Sequence, residues 1–185
     1  TKQGDTMTLL WQLSAVEQAA GVKNGTFTAT ELVHSALGRI EQKNAQLNAI
    51  VDLLDEPALT AAQAADAAVA DGKALGPLHG VPVTVKVNVD TKGRATTNGM
   101  EIFQDTIAPD HSPVVSNLLK AGAILIGRTN TPEMSMRLTT DNPLHGLTRN
   151  PWDLQASPGG SSGGAASAGA AGFAAINHGN DIAGS

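Results

Sequence analysis

The sequence predicts an α/β protein, and three observations carry that expectation. From Val81 to Val89 every odd position is Val, while Pro82, Thr84, Lys86 and Asn88 hold the even ones, the period of two that a half-buried strand requires. Ala123 to Gly127 is a second short apolar run with the length of a buried strand. Segments with helical starts and helical spacing lie before and between them, so strands alternate with helices. The bulk composition agrees, since 185 residues at 41% hydrophobic and 16% charged suffice for one sizeable core. Tyr is absent and aromatics make up 3%, so that core rests on Ala, Val, Leu and Ile.

In chain order, Ser14 and Glu17 form a capping box for a first helix reaching about Lys23, and Asn24-Gly25 supplies its left-handed stop. Thr28 and Glu31 repeat the box. The helix they start places Leu32, Val33, Ala36, Leu37 and Ile40 on one face, which must pack on something. Leu47 to Leu54, aliphatic and β-branched, reads as a strand, and Pro57 then opens an Ala-rich helix reaching about Asp71. In the Val81–Val89 strand Lys86 belongs to the polar face. Val114 to Ala121 suits a helix. From Thr129 to residue 172 the chain is loop-prone, with Pro132, Pro143, Pro151, Pro158 and a dense Gly, Ser and Ala stretch from Ser157. After Gly164, Ala165 to Ile176 is a small-residue apolar run suited to a tightly packed helix. No internal repeat or interdomain linker is visible.

Charge and composition narrow the function classes. A formal net charge of -5 without clustered Lys or Arg gives no footprint for nucleic acid or an anionic membrane. Zero cysteines exclude disulfides, thiolate metal sites and a Cys nucleophile, and fit a reducing compartment, with the cytoplasm as default. No apolar run reaches the roughly 18 residues of a membrane span, and Thr1 to Thr8 lacks a signal-peptide layout. His34, His79, His111, His145 and His178 are scattered without metal-ligand spacing, so none is assigned to a metal or to a Ser-His-Asp triad.

Two segments can carry chemistry. In Ser157-Pro158-Gly159-Gly160-Ser161-Ser162-Gly163-Gly164 the glycines permit backbone geometries barred to other residues, bringing hydroxyls and N–H groups close to a ligand. By composition alone the stretch reads as a flexible linker. A core helix following it argues against that, and the lack of Gly-Lys-Ser/Thr argues against a phosphate cradle. The second segment, His178 to Ser185, is turn-prone and ends on a serine, and its backbone N–H groups suit an oxyanion hole.

Taken together, the Gly80-Val81-Pro82-Val83-Thr84-Val85-Lys86 run, the Gly-Gly-Ser-Ser-Gly-Gly loop and Asp181 to Ser185 resemble the amidase-signature family in order, type and spacing. Gly127-Arg128-Thr129-Asn130-Thr131-Pro132-Glu133 and Asn150-Pro151-Trp152 add to the resemblance, which runs from about Ser14 to the last residue. It implies an α/β/α layered fold around a mixed, largely parallel sheet. Residues 1–13 are then an N-terminal extension, 14–76 a helical N-terminal region and 77–185 a motif-bearing core, all one N-terminal portion of a single domain. It further implies Ser185 as nucleophile, Lys86 as base and Ser161 as the bridging serine, with a cis peptide beside it. The spacing from Ser161 to Ser185, 185 − 161 = 24 positions, fits. Ser162 is the rival for the bridge and is given a supporting role, with Gly160 and Asp181. Oxyanion donors fall on the backbone of Ile182, Ala183, Gly184 and Ser185.

The chemistry is sound on physical grounds. A serine hydroxyl needs a base within reach, and lysine serves as one once burial beside apolar Val residues disfavours its ammonium. Two features depart from the family pattern: Val87 follows the lysine where an acid is usual, and Ala183 replaces a common glycine. Glu133 and Met134 are candidates for the substrate mouth, or for a loop cap in the case of Glu133. The expected activity is hydrolysis of a linear carboxamide to an acid and ammonia or an amine, with no metal or organic cofactor and a small-molecule amide as partner. The reading allows a homodimer. Its alternatives are the glutamine-hydrolysing subunit of a tRNA-dependent amidotransferase and a non-catalytic module keeping the fold. Family members carry a long segment after the nucleophile, so further C-terminal sequence is expected.

Overall fold

Both capping boxes form, and they set where the first helices begin. A computed structural model describes residues 9–181. In α1 (Ala15–Lys23) Ser14 Oγ accepts the Glu17 N–H at 3.3 Å while Glu17 accepts the Ser14 N–H at 2.8 Å. Thr28 and Glu31 do the same for α2 (Ala29–Leu47), at 3.0 and 2.8 Å. A carboxylate from α3 (Asp55–Ala70) reinforces that second start, Asp66 accepting from the N–H groups of Ala29 and Thr30 at 2.6 and 3.1 Å. Between these helices Gly25 takes the left-handed conformation expected of it, φ 69°.

Four boundaries differ from the sequence expectation, the first being the strand expected over Val81–Val89, which is paired only over Pro82–Lys86 before the chain turns at 87–89. The strand expected from Leu47 is the shorter β1 (Ile50–Leu53), because α2 continues through Leu47. Asn44 sets that boundary, its Oδ1 accepting from the Ala49 and Ile50 N–H groups at 3.0 and 2.9 Å, with Asn48 left-handed behind it at φ 50°. Pro57 lies within the first turn of α3 and does not open it. The helix expected over Ala165 to Ile176 is α5 (Gly163–Ala171), which stops at Gly172 with φ 75° and frees Ile176 to pair as β4 (Ile176–Asn177).

The sheet contains β1, β2 (Pro82–Lys86), β3 (Ile124–Thr129) and β4 in the order β1-β3-β2-β4. β1 runs antiparallel to β3, while β2 is parallel to both β3 and β4, so the sheet is mixed and mostly parallel. Helix α4 (Pro113–Lys120) leads into β3, its N-cap Ser112 accepting from Val115 N–H. The face α2 was expected to bury packs as Leu32, Val33, Ala36 and Ile40 against Ile124, Ile126 and Phe173, with Leu37 partly buried beside them. Each buried Leu, Val and Ile side chain contributes about 1.5–3 kcal/mol.

β2 corrects the expectation of a half-buried strand, because all five of its residues are buried. The valines behave as read, Val83 with Ala19 and Ala123, Val85 with Val115. The even positions are polar yet equally covered: Thr84 Oγ1 donates to Asn177 Oδ1 at 2.8 Å, and Lys86 is 0% exposed. Period two reports which residues share a face, not what later folds over it. Among the described residues no helix is long and apolar enough to cross a membrane.

Candidate active site

Lys86 ends the central strand, and its ammonium nitrogen has three oxygen neighbours. Nζ donates to Ser161 Oγ at 2.7 Å, to Asn180 Oδ1 at 3.1 Å and to Ser162 Oγ at 3.3 Å. Burial, disfavouring the charged form, lowers its pKa to about 8 against the opposing pull of the Asp181 carboxylate. A lysine so placed holds a substantial neutral fraction in mildly alkaline water.

The serines come from the glycine-rich loop, which is packed and not a linker. Ser161 is fully buried and follows a cis peptide from Gly160, and its carbonyl accepts from Thr131 Oγ1 at 3.2 Å. The neighbouring glycines are required by close approach. A Cβ on Gly160 would strike the backbone of Arg137 to Thr139, and one on Gly164 the backbone of Asn130. Thr140 Oγ1 donates to Gly159 O at 3.0 Å and holds the loop from outside. Ser162 is turned toward the chain following β4, its hydroxyl donating to Asn180 O at 3.1 Å and accepting from the Asn180 N–H at 3.3 Å.

Two residues at this site escaped the sequence reading. Asn180 and Asn88 form a reciprocal amide pair, each side chain donating to the other at 3.1 Å. Asn88 shares the even-numbered polar set with Lys86, which was the available signal; Asn180 sat unremarked beside Asp181. Behind β2, Arg128 donates to the carbonyls of Val87, Val89 and Ala95 at 3.1, 3.2 and 2.7 Å, and to Asp52 at 3.2 Å. Asp52, which also pairs with Arg94, is linked to the Val87 and Val89 carbonyls only through Arg128.

The remaining candidates divide plainly. Asp181 is the last described residue, exposed, and acts on Lys86 through its charge. Glu133 pairs with Arg137 at 3.1 Å, and Met134 is 44% exposed with φ 51°. The His178 N–H extends the sheet by donating to Thr84 O at 2.9 Å, and burial and the Lys86 charge lower its imidazole pKa. Ile182, Ala183, Gly184 and Ser185 lie outside the described residues.

A mixed α/β sheet thus carries a buried lysine against a serine-rich loop. The chain belongs to the amidase-signature family: the family model described as Amidase matches residues 31–185. It is 57% identical over 176 residues to an indoleacetamide hydrolase of Bradyrhizobium diazoefficiens, covering 95% of this chain and 34% of that protein. It is 44% identical over 158 residues to a glutamyl-tRNA(Gln) amidotransferase subunit of Cyanothece, covering 85% and 33%. Among solved structures, fatty acid amide hydrolase matches with TM-score 0.90 at 32% identity, covering 94% of this chain and 31% of that one. A 6-aminohexanoate cyclic dimer hydrolase matches with TM-score 0.83 at 35% identity, covering 93% and 34%. The chain therefore spans about a third of the length of these relatives.

Proposed function

We propose that the full-length protein hydrolyses a carboxamide through an acyl-enzyme on Ser185, with Lys86 as base and Ser161 as proton bridge. The 2.7 Å contact between a fully buried Lys86 Nζ and Ser161 Oγ carries this reading. In the forward step neutral Lys86 takes the Ser161 proton as Ser161 takes that of Ser185, and the Ser185 oxygen attacks the amide carbon. Backbone N–H groups of 182–185 hold the resulting oxyanion. The C–N bond then breaks, and the proton returns through Ser161 to the leaving nitrogen. Water repeats the sequence on the ester, releasing the acid and restoring Ser185.

The substrate class we infer is a primary amide on an arylmethyl group, from the 57% identity to a protein called indoleacetamide hydrolase. The test is ammonia release by the full-length protein from indole-3-acetamide and from glutamine, with fluorophosphonate labelling mapped by mass spectrometry. Indoleacetamide turnover with the label on Ser185 supports the proposal. Glutamine turnover that needs partner subunits moves the protein to the amidotransferase role, which the 44% identity to a component of such an enzyme keeps in view. A folded protein that takes no label is a non-catalytic module.

A further inference from the structure

Two adjacent serines touch the same lysine, and the arrangement around Nζ decides between them. We propose that Asn180, held by Asn88, is a positioning residue that turns the lone pair of the Lys86 amine onto Ser161. The proposal rests on the reading of Lys86 as base.

A neutral amine has two N–H bonds and one lone pair, whereas an ammonium has three N–H bonds and none. The Asn180 Oδ1 at 3.1 Å can only accept. Ser162 has one hydroxyl proton, and it is directed to Asn180 O at 3.1 Å, so toward Lys86 it too presents a lone pair, at 3.3 Å. These two acceptors take both amine hydrogens. The remaining tetrahedral direction, the lone pair, falls on the nearest neighbour, Ser161 Oγ at 2.7 Å. Ser161 can therefore donate its proton to the lysine while Ser162 cannot. Once the proton has moved, all three oxygens serve as acceptors for the ammonium, and no side chain has to turn.

This requires the Asn180 amide to keep its oxygen toward the lysine, and a closed set of hydrogen bonds enforces that. Asn180 Nδ2 donates to Asn88 Oδ1 and Asn88 Nδ2 donates back, both at 3.1 Å, so turning one amide alone would set donor against donor. Asn88 is fixed in turn. Its Nδ2 also donates to Ser135 Oγ at 3.0 Å, Ser135 meets Thr131 Oγ1 at 3.1 Å, and Thr131 donates to Ser161 O at 3.2 Å. With the Thr131 proton committed to Ser161, Ser135 is the donor in its pair with Thr131. The ring runs one way from Asn180 through Asn88, Ser135 and Thr131 to the residue that receives the lone pair.

The experiment uses the full-length protein and the second-order rate of Ser185 labelling by a fluorophosphonate across pH. Asp181 acts on Lys86 by charge, His178 is the nearby imidazole that feels the Lys86 charge, and both stay unchanged in every variant. Asn180→Asp keeps the shape but places a carboxylate on the ammonium, and should move the rising limb of the profile up by about one pH unit or more while recovering its plateau. Asn180→Leu removes the acceptor, and should lower the plateau about tenfold to a hundredfold with KM for the amide unchanged. An unshifted limb in folded Asn180→Asp overturns the inference, and so does a wild-type plateau in Asn180→Leu. If the leucine variant does not fold, the aspartate profile decides alone. Wild-type protein that takes no label at any pH would sink the base assignment itself, a separate outcome.

Discussion

A lysine with no exposed surface has lost the water that keeps an ammonium charged, and for Lys86 this outweighs the attraction of Asp181 to leave a pKa of about 8. In the proposed mechanism the neutral form is the active one, so turnover by the full-length protein should climb with pH. At pH 7 about a tenth of the lysine is neutral, and kcat/KM should rise roughly tenfold to a plateau above about pH 9. A profile flat from pH 6 to 9 would contradict this. Lys86→Arg, unable to give up a proton at any working pH, should lose about a hundredfold to ten-thousandfold in kcat. The serines should separate in the same assay, Ser161→Ala losing far more than Ser162→Ala, and equal losses would remove the bridge assignment.

Secondary structure elements place these residues, and they were legible in the sequence to differing depths. Caps were fully legible, because a box such as Ser14 with Glu17 joins residues three positions apart. Boundaries set by side chains were not: Asn44 closing on Ala49 and Ile50 leaves no mark on periodicity. The burial of β2 was hidden for a larger reason, since Ser161, which covers Lys86, lies 75 positions away. Asn180 was missed likewise, its partner Asn88 being 92 positions off. Lys86, Ser161 and Ser162 were readable because each sits inside a run of unusual composition. Two glycines test the packing account by urea denaturation. Gly164→Ala, forcing a Cβ against the Asn130 backbone, should destabilise by about 1–3 kcal/mol. Gly38→Ala, inside α2 with open space around it, should stabilise by roughly 0.5–1 kcal/mol. Equal effects at both positions would refute the close-approach explanation of the serine loop.

At the scale of the whole molecule the buried lysine is a liability for folding. The Lys86 pKa is lower in the folded chain than in the unfolded one, where it is near the ordinary 10.5. Below about pH 8 the lysine is charged in both states and the folded state carries a net penalty, desolvation less the attraction of Asp181, of about 3 kcal/mol. Stability should therefore rise as pH passes from about 8 to 10.5 and then level, and a Lys86→Met variant should lack that increment. Equal pH dependence of unfolding in the two proteins would rule the penalty out.

The site also divides between parts of unequal persistence. Lys86 belongs to a strand with neighbours along both edges, Val83 and Thr84 being paired with β3 on one side and β4 on the other. Ser161 and Asn180 sit in irregular chain, fixed largely by side-chain hydrogen bonds such as those of Thr131 and Asn88. Amide protons of β2 should thus be among the last to exchange with deuterated solvent, and those of 157–162 among the first, through sub-global opening. As urea is raised, amide hydrolysis by the full-length protein should vanish at a concentration below the midpoint of the circular dichroism transition, Lys86 still seated in its strand after Ser161 has left it.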